Sequence, residues 1–168
     1  MMLFLRKMNP LHKRIFEISY KHQLSHIGSC ITAVDIIDEI YSIKKENELF
    51  ILSAGHSGLA LYCVLEKYYG LDAEKLFLKH GVHPNRDLND KIYCSTGSLG
   101  CGVVIAAGMA LCDRKKNIYC LITDGECAEP SVFSSLNFSY EHNLDNLKIY
   151  LNINGYSAYD KIDINKLI

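Results

Sequence analysis

Apolar side chains recur at near-helical spacing over residues 10–24, where Leu11, Ile15, Ile18 and Tyr20 follow Pro10, a residue suited to a first helical turn. The spacing predicts a helix. Ser25-His-Ile-Gly28 reads as a short turn with His26 in the bend, and Thr32 as the N-cap of a second helix carrying Val34, Ile37, Ile40 and Tyr41. Leu49-Phe-Ile-Leu52 is an unbroken apolar run of strand length that ends in Ser53-Ala-Gly-His56, and Leu59 to Tyr69 reads as a helix stopped by Gly70. Residues 79–95 contain His80, Gly81, His83, Pro84 and several Asn and Asp residues, the composition of a long surface loop. After Thr96-Gly-Ser-Leu-Gly100, the small residues Gly102, Ala106, Ala107, Gly108 and Ala110 predict a helix to about Cys112 that packs closely on a sheet or on another subunit. Ile118 to Ile122 reads as a strand, Pro130 to about His142 as a helix and Leu147 to Leu151 as a strand. Strand, helix, strand in that order implies an α/β fold, a parallel sheet flanked by helices on both faces.

Composition narrows the class. The chain has 168 residues, 49% of them apolar, which suits one domain over residues 1–168 with a single core. With 18 basic and 19 acidic residues the net charge is −1, and the basic residues form short clusters such as Arg114-Lys-Lys116, so nothing calls for nucleic acid as partner. Seven cysteines, an odd count without a C-x-x-C pair, read as buried or free thiols in a reducing cytoplasm rather than a disulfide framework or a zinc site. The apolar run in Met1-Met-Leu-Phe-Leu-Arg-Lys7 is short for a signal peptide, and no segment approaches the ~18 consecutive apolar residues of a membrane span. The expectation is a cytoplasmic protein that does not enter a membrane.

The chemistry-bearing residues fall at predicted strand ends, where ligands of parallel sheets bind because loops converge there and helix N-termini offer free N–H groups. Ile122-Thr-Asp-Gly-Glu126 runs from a strand into Asp-Gly, and Asn152-Ile-Asn154 follows the next strand, with Asn154 thirty residues beyond Asp124. Magnesium takes oxygen ligands in near-octahedral geometry, commonly one or two from the protein beside phosphate and water. Asp124 and Asn154 can each supply one oxygen, and a backbone carbonyl near Tyr156 a third. Gly125, lacking Cβ, lets a phosphate approach the backbone; a bare Asp-Gly pair is also an ordinary turn.

Further segments appear in one order: Ser25-His-Ile-Gly28, Ser53-Ala-Gly-His56, His83-Pro84, Thr96-Gly-Ser-Leu-Gly100, Thr123-Asp-Gly-Glu126 and Asn152-Ile-Asn154. Together they resemble the N-terminal, thiamine-diphosphate-binding domain of transketolases, over roughly residues 11–158. The resemblance implies thiamine diphosphate with Mg2+ or Ca2+ as cofactors, the metal held by Asp124, Asn154 and the carbonyl of Tyr156. It implies contacts to the cofactor from His56, Gly97, Ser98, Leu99, Gly125 and Glu126. His26, His56 and His83 would face the thiazolium and substrate, where imidazole can donate or accept near neutral pH. Glu129 matches a family glutamate at the subunit interface, and it is equally at home as a negative charge at a helix N-terminus.

Departures from the family pattern are Thr123 for the first glycine of Gly-Asp-Gly, Pro130 for a common glycine, and Phe133-Ser134 where an aromatic followed by glutamate is common. Asn152 stands where aspartate is frequent, and a later cofactor-facing histidine has no counterpart. The residues from Asp160 to Ile168 are too few for another βα unit. The carboxylate that activates the cofactor's pyrimidine belongs, in this family, to a separate domain. The resemblance therefore implies a split enzyme. This chain would be its diphosphate- and metal-binding subunit and a second subunit would carry the pyrimidine-binding domain, in a homodimer or heterotetramer acting on sugars or sugar phosphates. Two alternatives stay open: a component of a split thiamine-dependent 2-oxoacid decarboxylase, and a non-catalytic interaction protein that kept the fold.

Overall fold

The structure, a computed structural model, describes residues 8–157 and 160–162. Met1–Lys7 and most of the segment after Asp160, about which the sequence raises expectations, lie outside the described residues.

The first helix, α1 (Pro10–His22), starts where Pro10 fits a turn that needs no N–H, and the Asn9 side chain accepts from the Leu11 amide to cap it. Leu11, Ile15 and Ile18 are buried as the spacing predicts, but Tyr20 is almost fully exposed. Helix α2 (Ile27–Ile43) begins five residues before the expected Thr32 cap. The reason is local: Gln23 at φ 51° ends the first helix and His26 at φ 61° starts the next, so two left-handed residues complete the bend by residue 26. Thr32 is thus inside the helix, its hydroxyl bonded back to the Gly28 and Ser29 carbonyls.

Strand β1 (Leu49–Leu52) leads through a short 3-10 turn (Gly55–Ser57) into α3 (Gly58–Tyr69), which Gly70 ends at φ 70°. A helix that the apolar pattern does not announce, α4 (Ala73–His80), follows; the Asp72 carboxylate caps it by accepting from the Glu74 and Lys75 amides. The long loop therefore starts after His80 rather than at Lys79. It is braced by Lys79, whose ammonium donates to Asp87 at 2.7 Å and Asp90 at 2.6 Å, while His80 bonds Asp90 at 2.7 Å. Among the described residues this is one group of His and Asp side chains close enough to hold a metal ion, but the Lys79 ammonium already bonds both carboxylates. Helix α5 (Cys101–Cys112), strand β2 (Ile118–Thr123), a 3-10 turn (Gly125–Ala128), helix α6 (Pro130–Glu141) and strand β3 (Leu147–Asn152) complete the order.

The three strands form one parallel sheet in the order β1-β2-β3, with Leu52 opposite Leu121 and Thr123 opposite Asn152. Alternation along the strands splits the core into two layers. Phe50, Leu52, Tyr119 and Leu121 face a cluster built by α1 to α4, whereas Ile51, Ile118, Cys120 and Ile122 face one built by α5 and α6. This is the parallel α/β sheet with helices on both faces that the segment order implies. Cys30, Cys63, Cys94 and Cys120 are buried in it, and burial pushes the Cys30 thiol up to about 11. No described helix is long and apolar enough to cross a membrane.

Register at the carboxyl edge depends on one close approach. A Cβ at Gly102 would lie 2.5 Å from Ser53 Cα, so α5 can rest on the end of β1 only with glycine there. Gly102→Ala should cost about 1–3 kcal/mol, the usual penalty for overpacking. Urea titration checks this, and a variant as stable as the parent would show that α5 can shift away freely.

Candidate functional site

Because the strands are parallel and in register, Ser53, Asp124 and Ile153 begin their loops at the same edge. A cavity of about 380 Å³ lies there. The α1–α2 bend, the β1–α3 turn and the loop after α4 bring His26, His56 and His83 to its wall. Gly97 and Leu99 line it from the segment before α5, and Gly125, Asn154 and Tyr156 from the ends of β2 and β3. Six segments far apart in the chain thus meet at one hollow.

The histidine side is tightly assembled. The His26 and His56 rings lie 5.5 Å apart, and a Cβ on Gly97 would sit 3.3 Å from the His83 ring, so that loop passes directly beside it. Gly55 is closer still to the same loop, with no room for a Cβ against Thr96 and Gly97. His56 is half-buried, and its pKa is held below the usual 6.5, first by burial and then by the nearby charges of His26 and His83. His56 is consequently uncharged at neutral pH.

At the strand ends, Asp124 has no exposed surface. Its carboxylate accepts from the Gly125 amide at 3.1 Å and from the Gly155 amide at 2.7 Å, which folds the 153–157 loop over it. The Asn154 side-chain oxygen accepts from the Tyr156 amide at 3.0 Å, and the Tyr156 carbonyl oxygen lies 3.5 Å from the place of a Cβ on Gly125. No Lys, Arg or His among the described residues pairs with Asp124. A buried carboxylate without a cation, beside an amide oxygen and a peptide carbonyl, is an oxygen-only donor set suited to Mg2+ or Ca2+.

Other expected site residues lie elsewhere. Ser98 is exposed and outside the cavity lining. Glu126 is buried behind the cavity, where Ser53 and the amides of Gly100 and Thr123 donate to its carboxylate; burial raises its pKa and these bonds oppose the rise. Glu129 precedes α6 and sits against Gly100, where a Cβ would come within 3.0 Å of its side chain. Ser29 and Ser157 line the cavity and were not anticipated. Ser29 follows His26 by one helical turn, a signal hidden while residues 25–28 read as a turn. Asn152, given no metal role, donates to the Thr32 hydroxyl at 3.0 Å and ties β3 to α2.

A parallel α/β sheet whose carboxyl-edge loops gather three histidines and several glycines around one cavity has the architecture of a cofactor-binding domain. The sequence profile described as "Transketolase, thiamine diphosphate binding domain" matches residues 38–164. The transketolase of Homo sapiens is 33% identical over 159 residues, covering 80% of this chain and 25% of that protein, and the transketolase of Pongo abelii matches to the same extent. One of the subunits of the apulose-4-phosphate transketolase of Phocaeicola vulgatus is 27% identical over 155 residues, covering 80% of this chain and 55% of its own length. The chain belongs to the transketolase family and carries its thiamine diphosphate binding domain. It spans about a quarter of the length of the first two relatives.

His56 also makes stability pH-dependent in a definite direction. Its folded pKa lies below the unfolded value near 6.5, so the unfolded chain binds more protons in that window and stability falls as pH drops through it. The melting temperature should fall on acidification from about pH 7 to pH 5.5, and His56→Gln should flatten that part of the profile. Identical profiles for the two proteins would show that His56 is not held neutral.

Proposed function

We propose that this chain is the diphosphate- and metal-binding subunit of a transketolase-type transferase, which moves a two-carbon ketol unit between sugars or sugar phosphates together with a second polypeptide. The observation that carries the reading is the convergence of His26, His56, His83, Asn154 and Tyr156 on one cavity, with Asp124 buried between the lining residues Thr123 and Gly125 and bonded to the Gly155 amide. Thiamine diphosphate, when bound, supplies the carbanion chemistry. Asp124, Asn154 and the Tyr156 carbonyl hold the divalent ion, and Gly97, Leu99 and Gly125 leave the backbone close to the cofactor. His26 and His83, both exposed to the cavity, hold or pass protons at substrate hydroxyls. His56 stays uncharged between them and orients the diphosphate or substrate.

A partner is supported by two further facts. The Phocaeicola vulgatus relative is by its name one subunit of a transketolase rather than the whole enzyme. In addition, Val104, Ile105 and Leu111 of α5 and Phe133 and Leu136 of α6 are exposed apolar side chains, the composition of a surface covered by another chain. A second subunit with the pyrimidine-binding domain and its activating glutamate would sit there, in a homodimeric or heterotetrameric assembly. Three imidazoles on one cavity favour a polyhydroxylated substrate over a 2-oxoacid, whose decarboxylation calls for fewer hydroxyl contacts.

Titration calorimetry with thiamine diphosphate and Mg2+, on the chain alone and mixed with a candidate partner, tests this directly. Binding should be strongest in the pair. Asp124→Ala should lose at least about 100-fold in metal-dependent affinity, beyond the 10–100-fold typical of groups one step from a metal, while circular dichroism stays unchanged. Unaltered affinity in the variant, or no heat of binding in either setting, would sink the proposal; turnover of a 2-oxoacid but not a ketose would transfer it to the decarboxylase.

A further inference from the structure

We infer that Glu126 is a positioning residue for this site: its buried carboxylate ties together the three backbone segments that set the spacing of the cavity. The inference rests on the functional reading above. Glu126 has no exposed surface and opens the turn that follows Asp124. One carboxylate oxygen accepts from the Ser53 hydroxyl at 2.6 Å and from the Gly100 amide at 2.9 Å. The other accepts from the Thr123 amide at 3.1 Å.

Each donor belongs to a different wall. Ser53 leaves β1 and is three residues from His56; Gly100, at φ 76°, closes the loop that carries Gly97 and Leu99; Thr123 lines the cavity and precedes Asp124. The bonds span 73 and 26 residues of sequence, so no local turn enforces these distances. An apolar side chain of the same volume would leave the Ser53 hydroxyl and the Gly100 and Thr123 amides without an acceptor. What only a carboxylate adds is a fixed relation between His56, the Gly97–Leu99 segment and Asp124.

The donor pattern also explains why the amide isostere cannot replace it. Glutamine has one oxygen. If that oxygen faces Ser53 and Gly100, its NH2 opposes the Thr123 amide; if it faces Thr123, the Ser53 hydroxyl can reverse but the Gly100 amide is stranded. Either way one wall is released.

The test uses Glu126→Gln, with Ser53→Ala as a milder variant that keeps both backbone bonds, and Val132→Ala as a control that destabilises the α6 core away from the cavity. Affinity for thiamine diphosphate with Mg2+ is measured with the partner present, at a fixed interval below each melting temperature. Amide hydrogen exchange of Gly100 and Thr123 is read on the free chains. Glu126→Gln should weaken binding about 10–100-fold and Ser53→Ala less, as for other groups one step behind a metal site, with faster exchange at Gly100 or Thr123. Val132→Ala should bind within about twofold of the parent despite its lower melting point. Parent-like affinity and exchange in Glu126→Gln, or equal weakening in Val132→Ala, overturns the inference alone. A parent chain that binds no cofactor overturns the functional reading and the inference with it. If Glu126→Gln does not fold, Ser53→Ala decides by the same two readouts.

Discussion

A carboxylate removed from water must find its donors inside the fold, and at the end of β2 this requirement is met twice within three residues. Asp124 takes the amides of Gly125 and Gly155, and Glu126 takes Ser53, Gly100 and Thr123. These donors come from the ends of all three strands and from the loop before α5. The two demands are unlike. Glu126 is satisfied by protein alone, whereas Asp124 has two amide bonds and, among the described residues, no cation. On the functional reading proposed above, the satisfied carboxylate would frame the site and its neighbour would meet the metal.

The sheet makes that arrangement possible because its two faces are already filled. Helices α1 to α4 cover one side and α5 and α6 the other, leaving the carboxyl edge as the place where loops meet. Close packing at Gly55, Gly58 and Gly102 then brings backbone against backbone. The cavity inherits its shape from these contacts rather than from loop side chains alone.

Much of this was legible in the sequence. The unbroken apolar run at residues 49–52 could only be a buried strand at that length, and the runs at 118 and 147 repeated the signal; all three strands appear within a residue of expectation. Helix α4 escaped because its buried set is small, Ala73, Leu76 and His80, and its start depends on an Asp72 cap that looks like a loop residue. The early start of α2 escaped because a left-handed histidine leaves no periodic trace. In the site, motif order brought the histidines, Asp124 and Asn154 to notice, since each borders a strand or a bend. That Glu126 turns inward could not be read, because its partners lie 73 and 26 residues away.

Position 26 carries two obligations that different residues would meet best. Its backbone, at φ 61°, favours glycine or asparagine, while on the function proposed above its place on the cavity wall beside His56 calls for an imidazole. Alanine there would lose the ring while keeping the Cβ strain of about 1–2 kcal/mol that histidine already bears. Asparagine keeps the bend and removes the ring, which makes it the substitution that separates the architecture of this corner from its reactivity. The same pair of obligations leaves the position few neutral steps, so drift in a lineage that abandoned the chemistry should show first as glycine or asparagine at residue 26.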